Sequence, residues 1–242
     1  PPTAPDPKNV DSVTINSNVV VPDSQGVGGV FDAAPRPLKA NPHSATDIER
    51  ALREMVDLDA AKYGVTSAEL ATIHAELKVH TNHQTDTIYV LFQQTRPSKN
   101  LDGSVERVPV HGSRLSFTVK VIAGNPLLLS SMGKLFPNIS VNTNRVLSDA
   151  DLKEQAEKRL GIPHNSPNEL QFIERKILYA KGAWHTANLY VISGFPVMIA
   201  VDINTGETFA WDARHRAAAQ GEAEGRGIAD GPIEAGVPSP LA

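Results

Sequence analysis

His111 and Ser113 flank Gly112 in the stretch RVPVHGSRLSFTVK, residues 107–120. A hydroxyl two positions from an imidazole is the raw material of a nucleophile and its base, the chemistry of acyl transfer. That chemistry also needs an acid to orient the imidazole and an elbow such as GxSxG to present the hydroxyl, and neither accompanies this pair. A small-residue turn between two runs of β-formers is the simpler reading, and it is the one expected here.

The other candidates weaken in the same way. His74, His80 and His83 lie close together among the eight histidines. His74 and His80 share the strand parity of Glu76 and Lys78, expected to face solvent, and His83 sits in the polar turn TNHQTD. A metal site needs convergent ligands and groups that orient them, so surface histidines are expected. No HExxH occurs, which removes the helical zinc site of metalloproteases from these residues.

Paired carboxylates stand at Asp149/Asp151, Asp57/Asp59 and Glu222/Glu224. The first pair reads as acids answering a helix dipole, the second as a solvated helix end and the third as part of a flexible tail. The GVGG cluster near residue 28 lacks the strand-glycine-helix setting of a phosphate loop. Asp202 before NTGE lacks the alternating oxygen ligands and distal glutamate of a calcium loop, so a plain hairpin is expected. Asn138-Ile139-Ser140 matches the glycosylation acceptor triplet, which has meaning only in a eukaryotic secretory pathway. No catalytic residue, metal or cofactor is expected from this inventory.

The elements that would position such residues are legible. Residues 1–43 are crowded with Pro and Gly and read as an extended N-terminal arm, in which Val13, Ile15, Val19, Val20 and Val21 can add one strand to a sheet edge. A helix begins at Ser44, with Asp47 three residues on; Ile48, Leu52, Met55 and Val56 recur at helical spacing, and Gly64 closes it. Strands follow at 75–80, TIYVLFQQT, RLSFTVKVIA and PLLLSSMGKLF, with PSKNLDGS as a loop. A second helix starts at Ser148 with Asp151, buries Leu152, Ala156 and Leu160, and stops at Gly161 and Pro163. LQFIERKILYA, WHTANLYVISG and PVMIAVDINTGETFAWDA then read as strands, the last folding back at Asn204-Thr205-Gly206. The expected fold class is α+β, in two successive modules, each a helix packed on an antiparallel sheet, between an arm and a tail. Their bounds are 1–43 for the arm, 44–147 and 148–213 for the modules, and 214–242 for a linker or tail rich in small residues.

Composition narrows the partners. At 242 residues the chain has enough length for two small cores. A net charge of -4 gives no basic field for nucleic acid or an anionic membrane. No apolar run approaches the roughly 20 residues of a membrane span. Absence of cysteine removes disulfides, thiolate catalysis and the usual structural zinc sites. No signal peptide is visible at the start, so an exported form would be one whose signal has been removed.

The series IYVLFQQT, VPVHGSRLSFTV, MGKLFPNI and LSDADLKEQAEKRLG resembles the N-terminal propeptide of fungalysin-like and thermolysin-like zinc metalloproteases. LYVISGFPVMIAVDINTGETFAWDA looks like the PepSY-type half of such propeptides, and the likeness covers roughly residues 45–213. It places Phe92, Gln93, Gln94, Val108, Pro109, Val110, Gly112, Ser113 and Gly133 in the first module's motif. Val201, Asp202, Thr205, Gly206 and Glu207 fall in the second's. Arg107 stands where the family usually has Gly, and Ile203 where it often has Ala. No protease domain follows within these residues, so a separated propeptide or a stand-alone relative is expected. The resemblance implies a secreted or periplasmic, non-catalytic chain whose partner is a cognate zinc metalloprotease domain. It would act as intramolecular chaperone and inhibitor, with a PepSY or cystatin-like second module. Ile228, Ile233, Val237 and Leu241 are then the tail positions expected to block the protease cleft. A free-standing secreted inhibitor or protein-binding adaptor is the alternative.

Overall fold

The computed structural model describes residues 25–79, 86–162, 170–192 and 197–212. The expected arm strand at 13–21, His80, His83 and the tail positions Ile228, Ile233, Val237 and Leu241 lie outside them. The architecture is α+β, dominated by two antiparallel sheets with few helices.

The first helix, α1 (Ala45–Leu58), starts where Ser44 accepts a hydrogen bond on its hydroxyl from the Asp47 N–H at 3.2 Å. This satisfies one of the donors that a helix start leaves unpaired. Ile48, Leu52, Met55 and Val56 are buried in one stripe, as the spacing predicts. Each such side chain contributes roughly 1.5–3 kcal/mol of burial. The helix breaks at Asp59, and a single turn, α2 (Ala60–Tyr63), carries the chain to Gly64, where the backbone is left-handed. The sheet beneath contains β1 (Val27–Asp32), β2 (Arg36–Pro37), β3 (Leu70–Val79), β4 (Asp86–Lys99), β5 (Val105–Pro109), β6 (Arg114–Ile122) and β7 (Asn125–Leu135). Its main path runs β1-β7-β6-β4-β3, with β2 paired to β7 and β5 to the far half of β4.

Three features depart from the sequence reading. The GVGG cluster and its neighbours, placed in an extended arm, form β1, an edge strand on β7. The loop after QQT is shorter than PSKNLDGS, because β4 continues through Pro97 to Lys99 and pairs with β5. Ile73 is a bulge in β3. Past the bulge, Ala75 pairs with the core residue Val90 and so keeps the inward parity, yet on this edge strand it is exposed.

Asp57 and Asp59, read as a solvated pair, are both tethers. Asp57 accepts from the Ser67 N–H at 2.7 Å and the Ser67 hydroxyl at 2.6 Å, and Asp59 pairs with Arg36 at 2.5 Å. Asp32 binds β1 to α2 by accepting from Lys62 at 2.5 Å, Tyr63 at 2.7 Å and Ser131 at 2.6 Å. Burial raises the Tyr63 phenol pKa, and the adjacent Asp32 carboxylate pushes it in the same direction.

The second sheet is the meander β8 (Leu170–Ala180), β9 (Ala183–Ile192), β10 (Val197–Asp202) and β11 (Thr208–Asp212). Helix α3 (Asp149–Leu160) begins with a complete capping box between Ser148 and Asp151 and buries Leu152, Ala156 and Leu160 against it. A Ser148→Ala variant is expected to lose about 1 kcal/mol of stability, read as a lowered urea midpoint with unchanged slope.

Candidate protein-docking face

The motif residues of the first module are mostly internal joints. Gln94 is fully buried: its carboxamide donates to the Phe136 carbonyl at 2.9 Å and accepts from the Phe136 N–H at 2.9 Å. A side chain here does what a neighbouring strand would do for a chain leaving the sheet. The hydroxyl of Ser113 accepts from the Gln94 N–H at 3.1 Å and donates to the Val110 carbonyl at 2.7 Å. Gly112 turns the chain with φ of +76°. His111 and Ser113 therefore belong to a turn, with His111 giving its backbone N–H to the Ile177 carbonyl at 2.7 Å.

Gly133 answers a different constraint. A Cβ there would lie 2.0 Å from the Arg114 carbonyl oxygen, inside any allowed contact, so β6 and β7 approach only over glycine. Phe92 is buried against Phe117, edge to face at 5.8 Å. Val108 and Val110 join Phe136 and Ile177 in a cluster between the sheets, where Val110 bridges Ile177 in parallel. Pro109 pairs with Thr95 in β5, and Gln93 lies on the face away from the core. Arg107, at the family's glycine position, donates to the Thr95 hydroxyl at 2.8 Å and to the Ala68 carbonyl.

In the second sheet, Asp202 has both oxygens committed. Oδ1 accepts from the N–H groups of Asn204 at 2.8 Å and Thr205 at 2.9 Å, which ties the hairpin turn containing Gly206. Oδ2 meets Nδ1 of His185 at 2.9 Å, while the same ring's Nε2 lies 3.2 Å from the Ala180 carbonyl. Glu207 pairs with Lys181 at 2.6 Å, and Val201 is core. Sequence reasoning did not single out His185. Its signal was strand parity, since Asp202 pairs with Ala187, which shares a face with His185. Ile203, at the family's alanine position, is buried and its carbonyl accepts from Val146 and Leu147, anchoring the connection into α3.

Among the described residues no group of three or more histidine, aspartate or glutamate side chains could hold a metal, and His74 is exposed. No described helix is long and apolar enough to cross a membrane.

The first sheet's other face has a different character. Leu115, Phe117 and Val119 of β6 point into the core beneath α1, so Ser116 and Thr118 point away from it. Pairing places Val30, Met132, Ser116 and Leu91 in one row across β1, β7, β6 and β4. Val30 is 62% and Met132 51% exposed. Tyr89 stands opposite Thr118 in the next row, and the bulged Ile73 is exposed on the neighbouring edge strand. At the end of this face Arg114 and Lys134 sit directly opposite each other, and the Lys134 ammonium lies 5.7 Å from the centre of the Phe136 ring. The result is a set of exposed apolar side chains, Val30, Met132 and Tyr89, on the sheet face away from α1.

No protein-family model matches the sequence, and no curated protein does. Among solved structures it is similar to the Bacillus megaterium YpeB C-terminal domain, at 14% identity and a TM-score of 0.25 over 73% of this chain and 69% of that one. A superposition at that level transfers neither fold nor function.

Burial pushes the Asp202 carboxyl up, but the His185 ring and the two turn N–H groups outweigh it, and the net direction is below the ordinary aspartate value of 3.8. A depressed carboxyl contributes stability that is full above its unfolded value and lost as pH falls through the folded one. Asp202→Asn is therefore expected to lower stability near neutrality and to flatten its decline in acid, in urea titrations from about pH 7 to about pH 3.

Proposed function

We propose that this chain is the propeptide of a secreted zinc metalloprotease, docking on the protease through the open face of the first sheet. The observation that carries the reading is the exposed trio Val30, Met132 and Tyr89, with the half-buried Leu91 in the same row, on the face that α1 leaves uncovered. A rigid sheet offered in this way stabilises a slowly folding partner by binding only its native form. The second unit, a helix against a four-stranded meander, is in this reading the PepSY or cystatin-like half, and the role is non-catalytic. The segment from residue 214 would then enter the cleft, with Ile228, Ile233, Val237 and Leu241 as the apolar residues offered to a thermolysin-like specificity pocket. Its exposure before binding would leave it open to the cleavage that ends inhibition.

The test mixes the full chain with a thermolysin-like zinc protease and follows peptide hydrolysis. The native chain is expected to inhibit, and Met132→Glu combined with Tyr89→Glu to weaken inhibition at least about tenfold with an unchanged melting temperature. A chain ending at Arg214 should still bind yet no longer inhibit. Native-level inhibition by the double variant would remove the docking face from the account, and failure of the native chain to bind any such protease would remove the propeptide reading.

A further inference from the structure

Two arginines are buried beside each other at the junction of the sheets. The tip of the β4–β5 hairpin, the start of α3 and the α3-facing side of β8 and β9 border an open cleft of about 700 Å³, a size that suits a small ligand or the end of a peptide. Arg145 and Arg175 line it, each with a side chain only 9% exposed. Each guanidinium is held at Nε by a neutral oxygen, Arg145 by the Leu147 carbonyl at 2.7 Å and Arg175 by the Asn188 carboxamide at 2.9 Å. Both are therefore positioned without help from an anion. Burial lowers the Arg175 pKa, and the charge of Arg145 pushes it the same way, as expected of two cations withdrawn from water together.

Their own carboxylates serve them unequally. Glu106 pairs with Arg175 from the hairpin. Asp149 accepts from Nη1 of Arg145 at 3.2 Å and lies 2.6 Å from Nη2, but that buried Nη2 makes no aligned hydrogen bond. The Asp149 side chain is 80% exposed, and an ion pair so open to water contributes little. Beside the arginines, Phe172 and Tyr190 pack edge to face at 5.9 Å, and Phe172 is 54% exposed. The Tyr190 hydroxyl accepts from the Asn188 amide at 3.4 Å and keeps its proton, since burial raises its pKa.

We propose that this cleft binds a carboxylate joined to an apolar group, the carboxylate between Arg145 and Arg175 and the apolar group against Phe172. The planar fork of a guanidinium matches a carboxylate, and a ligand held between two of them pairs better than Asp149 does, which then turns to solvent. The apolar group covers the exposed ring of Phe172, which a bare inorganic anion would leave in water. The end of a peptide chain and a free aromatic acid both carry this chemistry. The proposal does not depend on the protease reading, since the cleft is separate from the open face of the first sheet.

The test titrates the full chain calorimetrically with three probes: acetyl-Ala-Ala-Phe with a free C-terminal carboxylate, the same peptide amidated, and 3-phenylpropanoate. The free-acid peptide is expected to bind, and the amide at least about tenfold more weakly, because it leaves the guanidiniums without an anion. Equal binding of 3-phenylpropanoate would support the proposal and name a free acid as the source; markedly weaker binding would support it and name a chain end. Asp149→Asn, which removes the competing carboxylate, should tighten the free-acid peptide about threefold or more and leave the amide unchanged, an effect that a purely structural ion pair would not give. Phe172→Ala should weaken the free-acid peptide at least about fivefold at an unchanged melting temperature, and Arg145→Gln should abolish its binding. If Arg145→Gln loses the fold, the Asp149 and Phe172 variants decide. Equal binding of acid and amide, no binding of either acid at about 1 mM, or weaker acid binding by Asp149→Asn would overturn the proposal.

Discussion

The structure turns on how Phe136 leaves the first sheet. At that point the chain must abandon strand pairing, pass between two cores and bury an aromatic ring, which would strand its N–H and carbonyl without partners. The Gln94 carboxamide supplies both partners, and Ser113 holds the Gln94 backbone in place from the other side. Because the Phe136 ring is thereby fixed, it becomes the wall on which Trp184, Val108, Val110 and Ile177 assemble. The Gln94 amide is thus one of the ties that fix the relation between the sheets.

Polar ties then set the remaining geometry of the junction. Arg175, whose side chain is 9% exposed, donates to Asn100 at 2.7 Å, Asn188 at 2.9 Å and Glu106, spanning the tip of the β4–β5 hairpin and the second sheet. Removal from water makes the charged form of this guanidinium costlier, which lowers its pKa, and the Glu106 carboxylate opposes that shift. Such a pair contributes little net stability compared with an apolar contact, but it admits few alternative arrangements of the two units. The connection through Val146 and Leu147 to the Ile203 carbonyl acts in the same sense. Both open and buried sheet faces therefore keep a constant orientation to each other.

Much of this was legible in the residues, and the reasons differ by element. The two long helices announced themselves through Ser caps and apolar spacing, and α3 through Gly161 as well, since each of these acts within a few residues of chain, whereas α1 stops at Asp59, short of the expected Gly64. The turn at VPVHGS was legible for the same reason. The bulge at Ile73 left no mark in local composition, because one inserted residue shows only in the pairing with β4. Asp32, Asp57 and Asp59 carried no signal of their roles, for their partners Ser131, Ser67 and Arg36 are close only after folding. The GVGG cluster looked like loop because glycine has low strand propensity, while in the fold β1 draws its stability from pairing with β7.

Sequence by itself determined the α+β class, the two long helices and the hairpin at Asn204-Thr205-Gly206, because periodicity, capping and turn chemistry are local. Tertiary structure alone decided which face of the first sheet is open, that Gln94 clamps Phe136, and that His185 meets Asp202. Those are contacts between residues far apart in the chain, selected by the packing of whole layers, and no local pattern encodes which layer lies over which.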